Sequence, residues 1–523
     1  MEDSTWWPMS PLPLLLCTLL PLVAALLIHG HGRKNPEKKT SSNARRRRLP
    51  PGPSAPVFLA KFLALRQSIF QLEPLLRELH ARYGPVISIP LFGTQVFVSD
   101  RHLAHRALVQ GGAAFADRGP IGEPDILLSA GGRVVNAAPY GPYWRLVRRN
   151  LASEGLHRGR ASIISPARRW AGDALVGGLL RRATDAAAAV VTLRPFVLHA
   201  MFKLLVHMCF GARLGEDALR EIEQLQHRVH VATTTSFPVF YFFPAVTKRL
   251  FRRRWAANVA LRRRMDEVFL PLIHARRRLA GAGAGGDDGE PPCYADSLLA
   301  LRVAEEGGRP LTDGEMVSLC SEFLSGGVDT AGTLVEWIMA ELVNHPDIQA
   351  KVRDEVRARP ELTDGDLEAM PYLRAVVLEG LRLHPPGHFL LPHGVRSDDA
   401  EIGGYAVPRG AEVNFMVAEI GRDEAVWTAA REFRPERFTD GGEGCGVDIT
   451  GSKEIKMMPF GAGRRMCPGY SIGMRNTEYF VAIMVRELEW RPPVDGEEVD
   501  MEETLDLIVH MKHPLRARIV PAS

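Results

Sequence analysis

Near the carboxyl end runs Pro459-Phe460-Gly461-Ala462-Gly463-Arg464-Arg465-Met466-Cys467-Pro468-Gly469, followed by a helical pattern through Ile472, Tyr479, Ile483 and Leu488. Cys467 therefore stands just before a helix. Pro468 suits the first helical position, and the amides and dipole of a helix start favour an anionic sulfur. A thiolate is the form that ligates a metal. Taken alone, a single cysteine is more often a small buried hydrophobe, so its flanking residues carry the weight. Three further groupings have chemistry-capable spacing. Glu379 and Arg382, at i and i+3, share a helical face, as many solvated pairs do. Trp144 and Arg148 are spaced i, i+4. Gly326-Gly327-Val328-Asp329-Thr330 places an acid and a hydroxyl, both able to pass protons, after two glycines. Each glycine costs a helix about 1 kcal/mol relative to alanine, so a kink, a close helix contact or a functional demand is expected there.

Those groups need rigid elements. Thr312 and Glu315 form a Ser/Thr-x-x-Glu capping box, and no proline follows until Pro346. The pattern predicts a helix approaching roughly 50 Å at about 1.5 Å per residue, with Gly326 to Thr330 in its buried middle. The first half of the chain is rich in Leu, Ala and Arg with helical periodicity. Strand signals are confined to short runs such as Val86 to Val98 and Val413 to Met416. The Gly- and Ala-rich stretch Gly281 to Gly289 reads as a loop. No repeat is present, and the fold class is mainly α with a small β region in one large domain.

The 523 residues carry a formal charge of +4, but it is not spread evenly. Residues 1–48 hold eight Lys and Arg against three acids, which leaves the body near neutral and argues against a nucleic-acid partner. From Met9 to Ile28 the chain is uncharged and leucine-rich, long enough to span a bilayer. Trp6 and Trp7 precede it and the basic cluster follows, so the positive-inside rule puts the remainder in the cytosol. A cleaved signal peptide carries its positive charge before the apolar run, the reverse of the order here. Residues 1–30 are thus expected to be a transmembrane anchor, 31–56 a basic and proline-rich hinge, and 57–523 the catalytic body. The six cysteines are far apart and form no Cys-x-x-Cys pair, which fits a reducing, cytosol-facing compartment.

The loop around Cys467 resembles the haem-binding loop of the cytochromes P450, Phe-x-x-Gly-x-Arg-x-Cys-x-Gly, at all five fixed positions: Phe460, Gly463, Arg465, Cys467 and Gly469. Glu379-Gly380-Leu381-Arg382 with Arg437, in Phe433-Arg434-Pro435-Glu436-Arg437-Phe438, is similar to the family's structural Glu-Arg-Arg triad. Gly326 to Thr330 looks like its oxygen-activation motif, with Ala331 where Thr or Ser is usual. Trp144 and Arg148 match its Trp-x-x-x-Arg, and His393 stands where many relatives carry arginine. The motifs occur in the family's order along nearly the whole chain. The segment Phe415 to Asp423 further resembles family 89 of the plant A-type enzymes.

This resemblance implies a b-type haem with Cys467 as axial ligand to its iron, a thiolate that favours O–O cleavage. Phe460 shields the sulfur, and Gly463 and Gly469 let the backbone approach porphyrin and sulfur. Arg465, Trp144 and Arg148 hold haem propionates, and His393 either bonds the second propionate or is an ordinary satisfied histidine. Asp329 and Thr330 deliver protons on the oxygen side. The implied reaction inserts one atom of O2 into a hydrophobic or amphipathic small organic substrate. Its electrons come from NADPH through a cytochrome P450 reductase at the endoplasmic reticulum membrane. Basic residues near the haem loop, such as Arg145, Arg149, Lys453 and Arg464, are candidates for meeting that reductase's acidic face. Two rivals remain: an enzyme of the same fold that rearranges or dehydrates a peroxide without O2, and a non-catalytic haem-binding protein. Candidate pocket residues are Phe115 to Leu128, Phe237 to Phe243, Phe389, Leu390 and Leu507 to Val509, mostly apolar.

Overall fold

The capping box works as the sequence predicts. Thr312 Oγ1 accepts from the Glu315 amide at 3.2 Å and the Glu315 carboxylate accepts from the Thr312 amide at 2.7 Å. From there one helix runs unbroken over Asp313–Asn344, 32 residues, or about 48 Å. Pro346 opens the next helix, Pro346–Arg357, because its ring cannot continue the first. The structure, a computed structural model, describes residues 48–65, 72–90, 93–184, 190–241, 243–281, 291–359, 361–505 and 507–521. The expected anchor (1–30), residues 31–47 of the expected hinge and residues 282–289 of the Gly- and Ala-rich loop lie outside these. Among the described residues no helix is long and apolar enough to cross a membrane.

The long helix is buried on most of its circumference from Glu315 to Leu324 and from Gly332 to Val343, as an element in the centre of a core must be. The helices Arg194–Phe210 and Tyr470–Glu487 pack against it. Gly327 and Gly332 face the first of these helices. A Cβ at Gly327 would lie 2.7 Å from Leu205 Cδ1, and one at Gly332 would lie 2.6 Å from Leu198 Cδ2. Gly327 and Gly332 thus stand where this neighbouring helix comes close. Gly326 differs: it is exposed, and an added Cβ would meet no atom within 4 Å.

A four-stranded sheet lies to one side, in the order Val86–Pro90, Thr94–Val98, Glu412–Phe415, His393–Gly394. The first two strands form the hairpin expected between Val86 and Val98. Val96 then pairs in parallel with Val413, and Val413 in antiparallel with His393. His393 is thereby fixed at the sheet edge. A second sheet joins Leu488–Arg491, Arg516–Pro521 and Val190–Thr192.

The Glu-Arg-Arg residues knit the helix Pro371–Leu383 to the coil around the short turn Pro435–Phe438. Arg382 holds Glu379 through two bonds of 2.7 and 2.8 Å, and Arg437 Nε reaches the same carboxylate at 3.2 Å. The Arg434 amide also donates to Glu379, at 2.8 Å. Both guanidiniums then donate to backbone carbonyls, Arg382 to Gly421 and Ala430, Arg437 to Ala429. All three side chains are buried. Buried charge is tolerated here because every member is hydrogen-bonded.

Candidate functional site: the cysteine loop and its arginines

Gly463 opens a short turn, Gly463–Arg465, at φ +70°. A Cβ at this position would sit 1.9 Å from the Leu108 carbonyl oxygen. The glycine is demanded by protein backbone on the neighbouring Arg106–Gln110 segment, a reason the spacing alone does not reveal. The Cys467 amide donates to Phe460 O at 2.8 Å and closes the loop. The following helix starts at Tyr470 with Gly469 as its N-cap residue, so Pro468 precedes the helix rather than occupying its first turn as expected. Phe460 is half-buried and packs edge-on to Tyr470, with ring centroids 6.2 Å apart.

Cys467 is a free, half-buried thiol. Burial pushes its pKa up, while the Gly469 amide, which donates to the sulfur, and the positive charge of Arg148 pull it down. The upward push wins, so a thiolate is favoured here only when a cation binds the sulfur and balances its charge.

Positive charge gathers beside the sulfur. Arg465 donates to Ala116 O at 2.7 Å, Val135 O at 3.1 Å and Ala138 O at 2.7 Å. Arg148 donates to Met466 O, next to the cysteine. Trp144 spends its single N–H on Val135 O at 3.0 Å, and its ring lies under the Arg465 guanidinium, 4.4 Å from centroid to Cζ. Its part is thus to seat Arg465, since the indole has no second donor. Arg118, which the motifs do not mark, joins them and donates to Asn136 O at 2.7 Å and Pro392 O at 2.8 Å. Among the described residues none of these three arginines has a carboxylate within ion-pair distance. Desolvation and mutual repulsion lower Arg465 to about 9, and desolvation lowers Arg118 to about 10. Half-buried cations that bind only carbonyls fit a dianionic group, and the two carboxylates of a haem supply such charge.

His393 is buried rather than at the surface. Its Nδ1 donates to Phe115 O at 2.7 Å, and burial with the nearby Arg118 and Arg465 lowers its pKa to about 3. The ring is therefore neutral near pH 7 with Nε2 unprotonated, and offers a carboxylate no donor from that atom until it takes a second proton.

Asp329 and Thr330 stand apart from the cysteine loop, half-buried on the long helix. Thr330 Oγ1 donates to Gly326 O at 2.8 Å, which leaves its lone pairs able to accept. One turn earlier, Glu322 accepts from the amides of Val135 and Asn136. The sequence reading passed over Glu322. Its signal was a carboxylate inside the apolar run Leu319 to Leu324, four residues before Gly326 and so on its helical face. Arg118 had no comparable signal, because only the fold brings it near Arg465.

Of the expected pocket residues, Phe115, Phe240, Ile508 and Val509 are buried core, while Phe243 and Leu507 are exposed. Leu390 lies against Gly461 of the cysteine loop. The four expected reductase-facing bases, Arg145, Arg149, Lys453 and Arg464, are all exposed. A cleft of about 850 Å³ opens elsewhere, among Glu341, His384, Arg422, Glu432 and Glu503. Its charged lining does not suit an apolar substrate.

The family model described as cytochrome P450 matches residues 50–518. Cytochrome P450 89A9 of Arabidopsis thaliana is 41% identical over 490 residues, which cover 91% of this chain and 94% of the relative. The 4-hydroxyphenylacetaldehyde oxime monooxygenase of Sorghum bicolor is 33% identical, covering 96% and 94%. Flavonoid 3'-monooxygenase of Arabidopsis thaliana is 30% identical, covering 96% of each. A zebrafish cytochrome P450 structure with progesterone superposes with a TM-score of 0.71 at 22% identity, over 85% of this chain and 98% of that one. Fold, motif order and relatives agree, and the chain belongs to the cytochrome P450 family, as a haem-iron enzyme of the monooxygenase kind.

Proposed function

We propose that this chain is a membrane-anchored haem-thiolate monooxygenase in which the Cys467 sulfur would hold the haem iron. When bound, the haem supplies activation of O2, so that one oxygen atom enters an apolar or amphipathic small substrate and the other leaves as water. NADPH furnishes the electrons through a reductase that meets the exposed bases Arg145, Arg149, Lys453 and Arg464. Residues 1–30 hold the chain in the endoplasmic reticulum membrane with the body in the cytosol. The carrying observation is the setting of Cys467: one amide on its sulfur, a loop shaped by Gly463, and three arginines that, among the described residues, have no carboxylate within ion-pair distance.

The chain's residues divide the work. Phe460 and the Gly469 amide hold the sulfur and limit water around it. Arg465, seated on Trp144, and Arg148 bind the haem carboxylates, with Arg118 adding charge. Glu379, Arg382 and Arg437 fix the coil that leads to the cysteine loop. Thr330 holds a proton donor through its free lone pairs, and Asp329 feeds it. The test is Cys467→Ser, which replaces the soft anionic donor. The ferrous carbonyl complex should lose the red-shifted absorption of thiolate ligation, and Cys293→Ala should retain it. A serine variant with that spectrum and with activity would overturn the proposal.

A further inference from the structure

Glu322 lies on the long helix, one turn before Gly326 and two before Thr330. Its two carboxylate oxygens accept from two successive amides, Val135 N at 2.7 Å and Asn136 N at 2.7 Å. A bidentate, charge-assisted grip of this kind fixes the orientation of a peptide segment as well as its position. The opposite side of the segment is engaged too. Val135 O accepts from Trp144 and Arg465, Asn136 O from Arg118, and Ala138 O from Arg465. Residues 135–138 are thus an adaptor, with amides held by the long helix and carbonyls holding the arginine cluster.

We propose that Glu322 is a positioning residue: it clamps residues 135–138 to the long helix and thereby sets where Arg465, Trp144 and Arg118 present themselves to the haem carboxylates. The proposal rests on the reading of Arg465 and Arg148 as haem-carboxylate residues given above. A carboxylate is required because both oxygens must accept. Glutamine presents one acceptor oxygen and one NH2 group, which would face an amide N–H donor to donor. Hydrogen bonds along such a chain polarise one another, so a defect at the amide side weakens the carbonyl side.

The charged and titratable groups facing Glu322 are Arg118, Arg148 and Arg465 on the site side, with Tyr143 and Tyr294 from the neighbouring helices. Burial raises its carboxyl, and the two amides and two of the arginines offset part of this, leaving it at about 7. The clamp is complete when the carboxylate is ionised. Below that range one oxygen carries a proton directed at an amide, and the grip loosens.

The experiment uses the full-length holoenzyme and Glu322→Gln and Glu322→Asp variants. It measures hydrogen–deuterium exchange at the Val135 and Asn136 amides and haem transfer to excess apomyoglobin, each across the neutral pH range. Loss of one charge-assisted bond predicts exchange and haem transfer about tenfold faster in the glutamine variant above neutrality. Both rates in the parent, with exchange taken relative to the base-catalysed intrinsic rate at each pH, should climb as pH falls through about 7, whereas the glutamine variant should stay flat, so the two converge at mildly acid pH. The aspartate variant keeps the charge and should keep the inflection. Parent-like rates in the glutamine variant, or an inflection that persists in it, would overturn the proposal. If the glutamine variant does not accumulate, loss of the inflection in the aspartate variant would do so. The underlying reading fails in a different way: Arg465→Ala and Arg148→Ala would leave haem transfer unchanged, whatever the exchange result.

Discussion

Gly463→Ala offers the sharpest test of how the cysteine loop is built. Two costs can be read from the geometry. Alanine at φ +70° takes the left-handed region at about 1–2 kcal/mol. Its Cβ would also stand 1.9 Å from Leu108 O and 2.8 Å from Leu108 C, where a tolerable contact begins near 3.0 Å. The loop must therefore move by more than about 1 Å, because Leu108 is backbone in a buried segment and cannot rotate aside. Two residues onward that movement pulls Arg465 from three carbonyls set at 2.7 to 3.1 Å. Losing one such bond adds about 1.5–3 kcal/mol, so the expected cost is roughly 3–5 kcal/mol, concentrated where haem is held. Gly404→Ala is the control. It too has a left-handed φ, +85°, but nothing lies within 4 Å of its added Cβ, so only the backbone strain should remain. The assay is haem content per chain and the ferrous carbonyl spectrum, with a denaturation midpoint for each variant. A Gly463→Ala enzyme with full haem, a thiolate spectrum and a cost no larger than Gly404→Ala would refute this account of the loop.

Two other substitutions probe separate parts. Glu379→Ala leaves the buried Arg382 guanidinium with no carboxylate, while Arg437 keeps Glu443, and should cost about 3–5 kcal/mol, read as loss of soluble, haem-loaded protein; a variant within 1 kcal/mol or so of the parent would contradict the network's role. Thr330→Ala should leave haem content and NADPH oxidation largely in place while diverting consumed oxygen to hydrogen peroxide. Unchanged coupling of product to NADPH would exclude proton positioning, and a joint fall in stability and haem content would assign the hydroxyl to its Gly326 carbonyl bond.

Much of the architecture was legible because it rests on local rules. The capping box and Pro346 act within a few residues of the long helix's ends, and the strand signal in Val86–Val98 is short-range. The Glu379–Arg382 contact is set by helical spacing. What escaped the sequence depends on segments far apart in the chain. Gly463 is explained by Leu108, 355 positions earlier. Trp144 was expected to face a haem carboxylate, yet its one donor goes to Val135, and only packing could reveal that. His393 lies near Arg118 and Arg465, and its protonation is decided by Phe115 O and by burial.

These non-local ties bear on how the two sides of the site communicate. Thr330 and Asp329 belong to the long helix, whereas Cys467 and Arg465 belong to a coil stabilised from the opposite direction by Glu379, Arg382 and Arg437. A monooxygenase needs both sides in fixed relation, since a displacement of about 1 Å in a reacting geometry is enough to cost orders of magnitude in rate. The helix alone cannot impose that relation on a glycine-rich loop. The connection recorded here runs through side chains that grip backbone: Glu322 on the amides of Val135 and Asn136, and Arg465 and Trp144 on Val135 O. Backbone groups occupy their places whatever the side chains of residues 135–138 are, so this coupling tolerates substitution at those positions while depending on the acid at 322 and the cation at 465.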